Sequence, residues 1–219
     1  MKANINWKSI KTVLLDMDGT LLDLNFDNYF WQEYLPIHWG SLNNMDVLSA
    51  KKQLRDWYEK EVGTLSWYSL DFWTERLKLN VLELKSDVQH LIKYRPHAKT
   101  FLQRLNESGF FVVMVTNAHE DLIKMKIKKT NINIFFDRII SAHTIGHAKE
   151  EQPFWMKLQL EMPFNFEETV LIDDNLMVLR AARKYGIRNL LTIGKPDSQK
   201  PKQEIAEFDA IHSFQDIIF

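Results

Sequence analysis

Val13-Leu14-Leu15-Asp16-Met17-Asp18-Gly19-Thr20 sets three consecutive aliphatic residues directly before two aspartates and a glycine–threonine pair. A continuous apolar run without polar alternation suits a strand of a parallel sheet buried on both faces. Ligands of an open α/β sheet gather beyond the carboxyl ends of its strands. The acids that follow Leu15 therefore stand where chemistry is expected. Taken alone, the stretch also fits a plain hairpin on an Asp-Gly turn, so its neighbours have to decide.

Similar runs recur at residues 110–115, 138–140, 169–172 and 189–193. Segments with helical periodicity separate them. Residues 97–108 carry Ala98, Phe101, Leu102 and Leu105 on one stripe and stop at Gly109. Residues 120–130 repeat the pattern through Leu122, Ile123, Met125 and Ile127, and residues 154–162 and 176–185 follow. Strand–helix repetition predicts an α/β fold with a doubly wound, mainly parallel sheet.

One region breaks the rhythm. Between residue 26 and about residue 94 no strand-like run occurs, and helical stretches are predicted at 26–35, 46–62 and 67–77. Residues 26–73 hold 12 of the 27 aromatic side chains. This predicts an inserted all-helical cap domain at 26–94, with 1–25 and 95–219 forming the α/β core. Most of these aromatics are expected to fill the cap's own small core. Arg95-Pro96 marks the return, because a residue before proline disfavours helix. The polar segment 195–207, with Pro196 and Pro201, reads as a loop or weak helix.

Composition narrows the function classes. The 219 residues are 45% hydrophobic and 26% charged, which excludes a disordered chain. Seven glycines and six prolines are too few for a turn-rich all-β scaffold. A formal net charge of −1 gives no general attraction to nucleic acid polymers or anionic membranes. Without cysteine there is no disulfide, thiolate metal site or thiol nucleophile. No apolar run is long enough to span a bilayer, and residues 1–11 lack the core of a signal peptide. These features predict a cytoplasmic location. Neither a P-loop nor a G-x-G-x-x-G motif occurs, so no nucleotide cofactor is implied.

The residues just past each apolar run are more informative. Asp16 and Asp18 come after the first, Thr116 and Asn117 after the second, a loop reaching Lys149 after the third, and Asp173-Asp174-Asn175 after the fourth. Carboxylates gathered on one rim repel one another unless a hard cation lies among them, and oxygen-only ligation suits Mg²⁺. A lysine and a threonine beside that cation would trap phosphate oxygens. Each piece has a plainer reading: Thr116-Asn117 as a turn or cap, Lys149 as solvated surface, Asp173-Asp174-Asn175 as a helix cap. The ordered set at successive strand ends favours chemistry.

This set resembles the haloacid dehalogenase-like (HAD) hydrolase superfamily, whose four motifs are matched by Asp16-Met17-Asp18-Gly19-Thr20, Thr116-Asn117, Lys149 and Asp173-Asp174. The resemblance implies a Rossmann-like core with a C1-type helical cap after the first motif. It implies Asp16 as nucleophile forming an aspartyl-phosphate, and Asp18 as general acid and base. Mg²⁺ would be held by Asp16, the Asp18 backbone carbonyl and Asp173, with Asp174 as ligand or support. Thr116 and Lys149 would bind the phosphoryl group, joined by Asn117 or its backbone. An acid at position 18 favours phosphoryl transfer over dehalogenation, which needs no protonated leaving group. Phosphonatases use a cap lysine, for which Lys51, Lys52 and Lys60 are candidates. Relatives often place proline directly after the third-motif lysine, whereas Glu150 stands here and Pro153 comes later.

The chain is similar, more closely, to bacterial purine 5′-nucleotidases of the GMP/IMP type. This similarity rests on Asp23-Leu24, residues 26–31, Leu65, Trp67-Tyr68 and Leu70-Asp71 in the cap. In the core it rests on Thr116-Asn117-Ala118-His119, His143-Thr144, Gly146, Lys149-Glu150, Gln152, Trp155, Ile172-Asp173-Asp174 and Gly186-Ile187-Arg188. It implies hydrolysis of a small phosphate monoester, a purine mononucleotide. Tyr29, Trp31, Trp67 and Tyr68 are the aromatics considered for stacking the base. Sugar phosphatase or phosphomutase activity, and a phosphate-binding or signalling protein on the same fold, remain alternatives. A receiver domain has the order of its acids reversed and no cap. His143 and His147 are spaced by four, but Gly146 argues for a loop and a structural or substrate-edge role. His119 is expected only to shape the loop after Thr116. Oligomeric state is not readable from the sequence.

Overall fold

A computed structural model describes residues 5–217. Six strands, β1 (Thr12–Leu15), β2 (Phe111–Thr116), β3 (Arg138–Ser141), β4 (Thr169–Ile172), β5 (Asn189–Ile193) and β6 (Asp209–Ile211), form one parallel sheet in the order β3-β2-β1-β4-β5-β6. The five predicted runs are its first five strands. β6 has no counterpart in the sequence pattern: three residues with one buried side chain leave no apolar run to read. The order reverses between β1 and β4, and such a switch point opens a crevice at the strands' carboxyl ends. No helix among the described residues is long and apolar enough to cross a membrane.

Between β1 and β2 the chain is helical, as predicted. α1 (Asn25–Tyr29) runs through a π-helical turn, Phe30–Tyr34, into α2 (Leu35–Leu42), so the first helical stretch is longer than expected. Pro36 does not stop it. It lies just past the π-helical turn, where the backbone hydrogen-bond ladder is already irregular, the Leu35 N–H donating to the Phe30 carbonyl. α3 (Val47–Glu61) follows, capped by Asp46, whose side chain accepts from the Leu48 and Ser49 amides. The predicted helix at 67–77 is two helices, α4 (Leu65–Tyr68) and α5 (Leu70–Leu77), broken at Ser69, which is extended and caps α5. A further helix, α6 (Val81–Asp87), escapes the sequence pattern because only Val81 and Lys85 mark its buried face. Trp73 is fully buried with Trp31, Tyr58, Trp67 and Phe72 at ring distances of 5.1–5.8 Å. The aromatic surplus therefore does build a local core. The two connections lie side by side: Arg95 N–H donates to the Leu21 carbonyl, and Asp23 N–H to that of Lys93.

The remaining helices, α7 (Ala98–Glu107), α8 (Glu120–Thr130), α9 (Ala142–Ile145), α10 (Gln152–Glu161) and α11 (Leu176–Tyr185), clothe the sheet. Side chains alternate across a strand, and β1 divides accordingly. Val13 and Leu15 join the apolar cluster of Phe101, Leu102 and Leu122, whereas Leu14 joins that of Phe154, Leu158 and Leu179. Both faces are covered, which is why Val13, Leu14 and Leu15 follow one another with no polar residue between them. Residues 195–207 contain neither helix nor strand.

Candidate active site

Strand register sets the acids together. Leu15 pairs with Ile172 across β1 and β4, so Asp16 and Asp173 are each one residue beyond a matched pair. The Asp16 amide donates to the Ile172 carbonyl at 3.0 Å. On the other side Leu15 pairs with Met114, and Thr116 ends β2 two residues later. Lys149 arrives from the loop after α9, its carbonyl accepting from Trp155 Nε1 at 2.7 Å. The residue is 1% exposed, and its ammonium lies 2.6 Å from Asp16 Oδ1, 2.6 Å from Asp173 Oδ2 and 3.0 Å from the Val115 carbonyl. The third strand end and its loop thus serve the first and fourth.

Asp174 completes the acidic group. Its amide donates to Thr20 Oγ1 at 3.1 Å, and its carboxylate lies against Gly19. A Cβ at Gly19 would come within 2.3 Å of Asp174 Oδ2, and φ there is +82°. Both the turn and the close approach require glycine. Asp16, Asp173 and Asp174 each offer an oxygen within 4.8 Å of the others, the one such cluster among the described residues. The donor set, carboxylate oxygens alone and fixed by backbone turns, fits a hard divalent cation.

Electrostatics agree with that fit. Burial first, and then repulsion from Asp173, hold the Asp16 carboxyl at about 6 despite Lys149. Burial and the charges of Asp16 and Asp173 push Asp174 well above the carboxylate range. Burial pulls the Lys149 ammonium down, but Asp16 and Asp173 outweigh it and hold its pKa above the ordinary value. One lysine does not balance three carboxyls.

Asp18 faces a different set of partners. Its Oδ1 forms an ion pair with Lys126 Nζ at 2.6 Å, and Lys126 donates to Asp27 Oδ2 at 2.7 Å. Asp27 Oδ1 in turn accepts from Lys85 at 2.7 Å. The Lys85 ammonium lies 4.6 Å from the Phe30 ring centroid, with Phe26 and Trp31 at 5.0 and 5.2 Å. Burial, opposed by Lys126 and reinforced by Asp27 and Asp16, holds the Asp18 carboxyl at about 6. Burial alone would raise Asp27, yet Lys126 and Lys85 keep it well below its ordinary value.

Sequence reasoning misses Lys126, Asp27 and Lys85. In α8 the buried positions are Leu122, Ile123 and Lys126, with Met125 and Ile127 at the half-buried margin. The lysine, three and four residues past buried neighbours, occupies a place given to apolar side chains. That phase is the available signal. The buried lysine of the insertion is Lys85. Lys52 and Lys60 are exposed, and Lys51 pairs with Glu33 at 2.5 Å.

A cavity of about 340 Å³ lies between sheet and insertion. Asp16, Asp18, Thr116, Asn117, Lys149, Asp173 and Asp174 line its floor, with Trp31, Trp67, Tyr68 and Lys85 among the residues opposite. Tyr29 is 40% exposed and lies outside this lining, so it drops out of the aromatics considered for stacking. The Asn117 side chain is engaged at both ends, accepting from the Lys149 amide at 2.9 Å and donating to Glu150 Oε2 at 2.9 Å. Glu150 also accepts from Tyr68 Oη at 2.6 Å and Asn175 Nδ2 at 2.9 Å. It thereby ties the insertion to two strand ends. Pro153 sits in the first turn of α10, not beside Lys149.

The histidines hold no common site. His143 packs edge-on to His119 at 5.0 Å, while His147 lies 3.8 Å from Glu151. His119 caps α8, its Nδ1 accepting from the Asp121 amide.

The sequence pattern of the haloacid dehalogenase-like hydrolases matches residues 10–186. The chain is 36% identical over 218 residues to the GMP/IMP nucleotidase YrfG of Escherichia coli (strain K12), covering 100% of this chain and 98% of that one. The same identity and coverage hold for the GMP/IMP nucleotidase YrfG of Shigella flexneri. Among solved structures, a HAD phosphatase from Thermococcus onnurineus superposes with a TM-score of 0.77 at 18% identity, covering 95% of this chain and 96% of that one.

Proposed function

The chain belongs to the haloacid dehalogenase-like hydrolase family, and from that membership we propose a Mg²⁺-dependent phosphoric monoester hydrolase that forms an aspartyl-phosphate at Asp16 and acts on purine nucleoside 5′-monophosphates. The observation that carries this reading is the position of Lys149 Nζ, 2.6 Å from both Asp16 and Asp173 within a cluster of three acids at a cavity floor.

Asp16 supplies the carboxylate oxygen that bonds to phosphorus as the ester P–O bond breaks. Asp18, held near a pKa of 6, gives its proton to the departing oxygen. It then takes a proton from the water that attacks the aspartyl-phosphate, releasing phosphate and restoring Asp16. Such acid–base assistance is worth about 10²–10⁴ in rate. Lys149 offsets the charge of the dianion approaching Asp16. Thr116 Oγ1, which accepts from the Ala118 amide at 3.1 Å, keeps its own hydrogen for a phosphoryl oxygen. Oxygens of Asp16, Asp173 and Asp174 with the Asp18 backbone carbonyl would hold Mg²⁺, which supplies the further positive charge an anionic nucleophile needs.

Support for a purine comes from two directions. Trp31 and Trp67, with ring centroids 5.8 Å apart and planes 31° from parallel, present aromatic surface to the cavity. Stacking on such surface is worth about 1–3 kcal/mol per base. Full-length similarity to GMP/IMP nucleotidases adds to this. Phosphate release measured on GMP, IMP, pyrimidine monophosphates, sugar phosphates and small-acid phosphates, each with Mg²⁺ or with EDTA, tests the reading. GMP and IMP are expected to lead, and only with the metal. A preference for sugar or pyrimidine phosphates would overturn the substrate assignment. Release from none of them would favour a binding protein.

A further inference from the structure

We infer that Lys126 is a positioning residue that fixes the Asp18 carboxyl for proton delivery to the leaving group, and that Asp27 of the insertion fixes Lys126 from the opposite side. The inference rests on the phosphatase reading above.

Lys126 is 1% exposed, a burial that lysine tolerates only when paired. Its ammonium meets Asp18 at 2.6 Å and Asp27 at 2.7 Å. Among the described residues, no other side chain forms an ion pair or hydrogen bond with the Asp18 carboxyl. Without Lys126 that group has nothing to hold its rotamer. Asp18 lines the cavity and Lys126 does not. Lys126 therefore stands behind the acid and reaches a substrate only through it.

The other end of this chain of charges belongs to the insertion. Asp27 lies in α1, and Lys85, which pairs with it at 2.7 Å, lies in α6. The charges alternate: Asp18, Lys126, Asp27, Lys85. Asp18 and Asp27 would repel each other directly. With Lys126 between them, each draws the other toward its place. The ammonium that holds Asp18 is itself held by the insertion, which ties the acid to the wall that covers the substrate.

The test compares leaving groups. An alkyl phosphate such as GMP expels an alcohol that must be protonated, whereas p-nitrophenyl phosphate expels a phenolate that need not be. The quantity read is kcat/KM with Mg²⁺, which reports the first displacement. For Lys126→Met the expected loss is about 10²-fold on GMP, or on the best alkyl ester of the panel, and less than about fivefold on the aryl ester. Lys126→Gln, whose amide can still donate to a carboxyl oxygen, is expected to show the same contrast in smaller size, and it carries the test if Lys126→Met does not fold. Equal losses on both esters, or no loss, would overturn the inference. Asp18→Asn separates the two levels: equal losses there would count against Asp18 as the acid, and a wild type that cleaves neither ester would count against the phosphatase reading itself.

Discussion

Two buried lysines in this molecule have nearly the same surroundings and different reach. Lys149 and Lys126 are each 1% exposed, and each sits between two carboxylates at 2.6–2.7 Å. Lys149 joins Asp16 and Asp173, which the register of β1 and β4 has already made neighbours. Lys126 joins Asp18 to Asp27, which belong to different parts of the molecule. One lysine pairs with two acids that the sheet brings together. The other links the site to the insertion. Burial and pairing alone do not tell what a lysine does; the origin of its partners does.

Substituting each lysine sharpens the contrast most. Lys149→Met removes charge beside the phosphoryl group and is expected to lower kcat/KM by about 10³-fold on alkyl and aryl phosphates alike. Lys126→Met is expected to spare the aryl ester. Matching profiles for the two variants would erase the distinction.

Stability offers the next break. Asp27→Ala leaves buried Lys85 without a carboxylate and Lys126 with Asp18 alone, and removing one partner from such a pair costs about 3–5 kcal/mol. The exposed pair of Lys51 and Glu33 is the control. Glu33→Ala is expected to cost under about 1 kcal/mol. Denaturant unfolding of both variants measures the difference, and similar losses would mean that the buried chain of charges holds little.

The acidic floor carries a pH signature of its own. Asp16 and Asp18 sit at about 6 against 3.8, first because of burial. Between about pH 4 and pH 6 the folded chain therefore binds protons that the unfolded chain has released, and stability falls as pH rises through this window. Asp27, depressed by its two lysines, works in the opposite sense and loses its contribution as pH drops below about 4. Thermal unfolding in EDTA is expected to weaken from about pH 5 to about pH 7, and Mg²⁺ at pH 7 to restore several degrees. A midpoint unmoved by Mg²⁺ would count against a metal at Asp16, Asp173 and Asp174.

Most of the floor is readable because strand ends announce themselves. An apolar run followed by an acid, a hydroxyl or a second acid marks Asp16, Thr116 and Asp173, and parallel register then aligns them. Lys149 is readable through its order after the third run. Lys126 is not, because α8 also holds Lys124, Lys128 and Lys129. Only the phase of the helix separates the buried lysine from the solvated ones. Asp27 is hidden in the aromatic-rich stretch, where rings account for the expected burial, and Lys85 in a helix too short to announce itself. Glu150 looks like a departure from the motif, yet its three hydrogen bonds organise the loop around Lys149. Contacts between distant segments leave little trace in local pattern.

The role of Asp16 as the atom that takes the phosphoryl group is tested most directly by acid quench. Protein mixed with Mg²⁺ and ³²P-labelled GMP for milliseconds, then denatured, should retain label in the wild type and retain none in Asp16→Asn. Label persisting in Asp16→Asn, or phosphate released at the wild-type rate by that variant, would contradict the account.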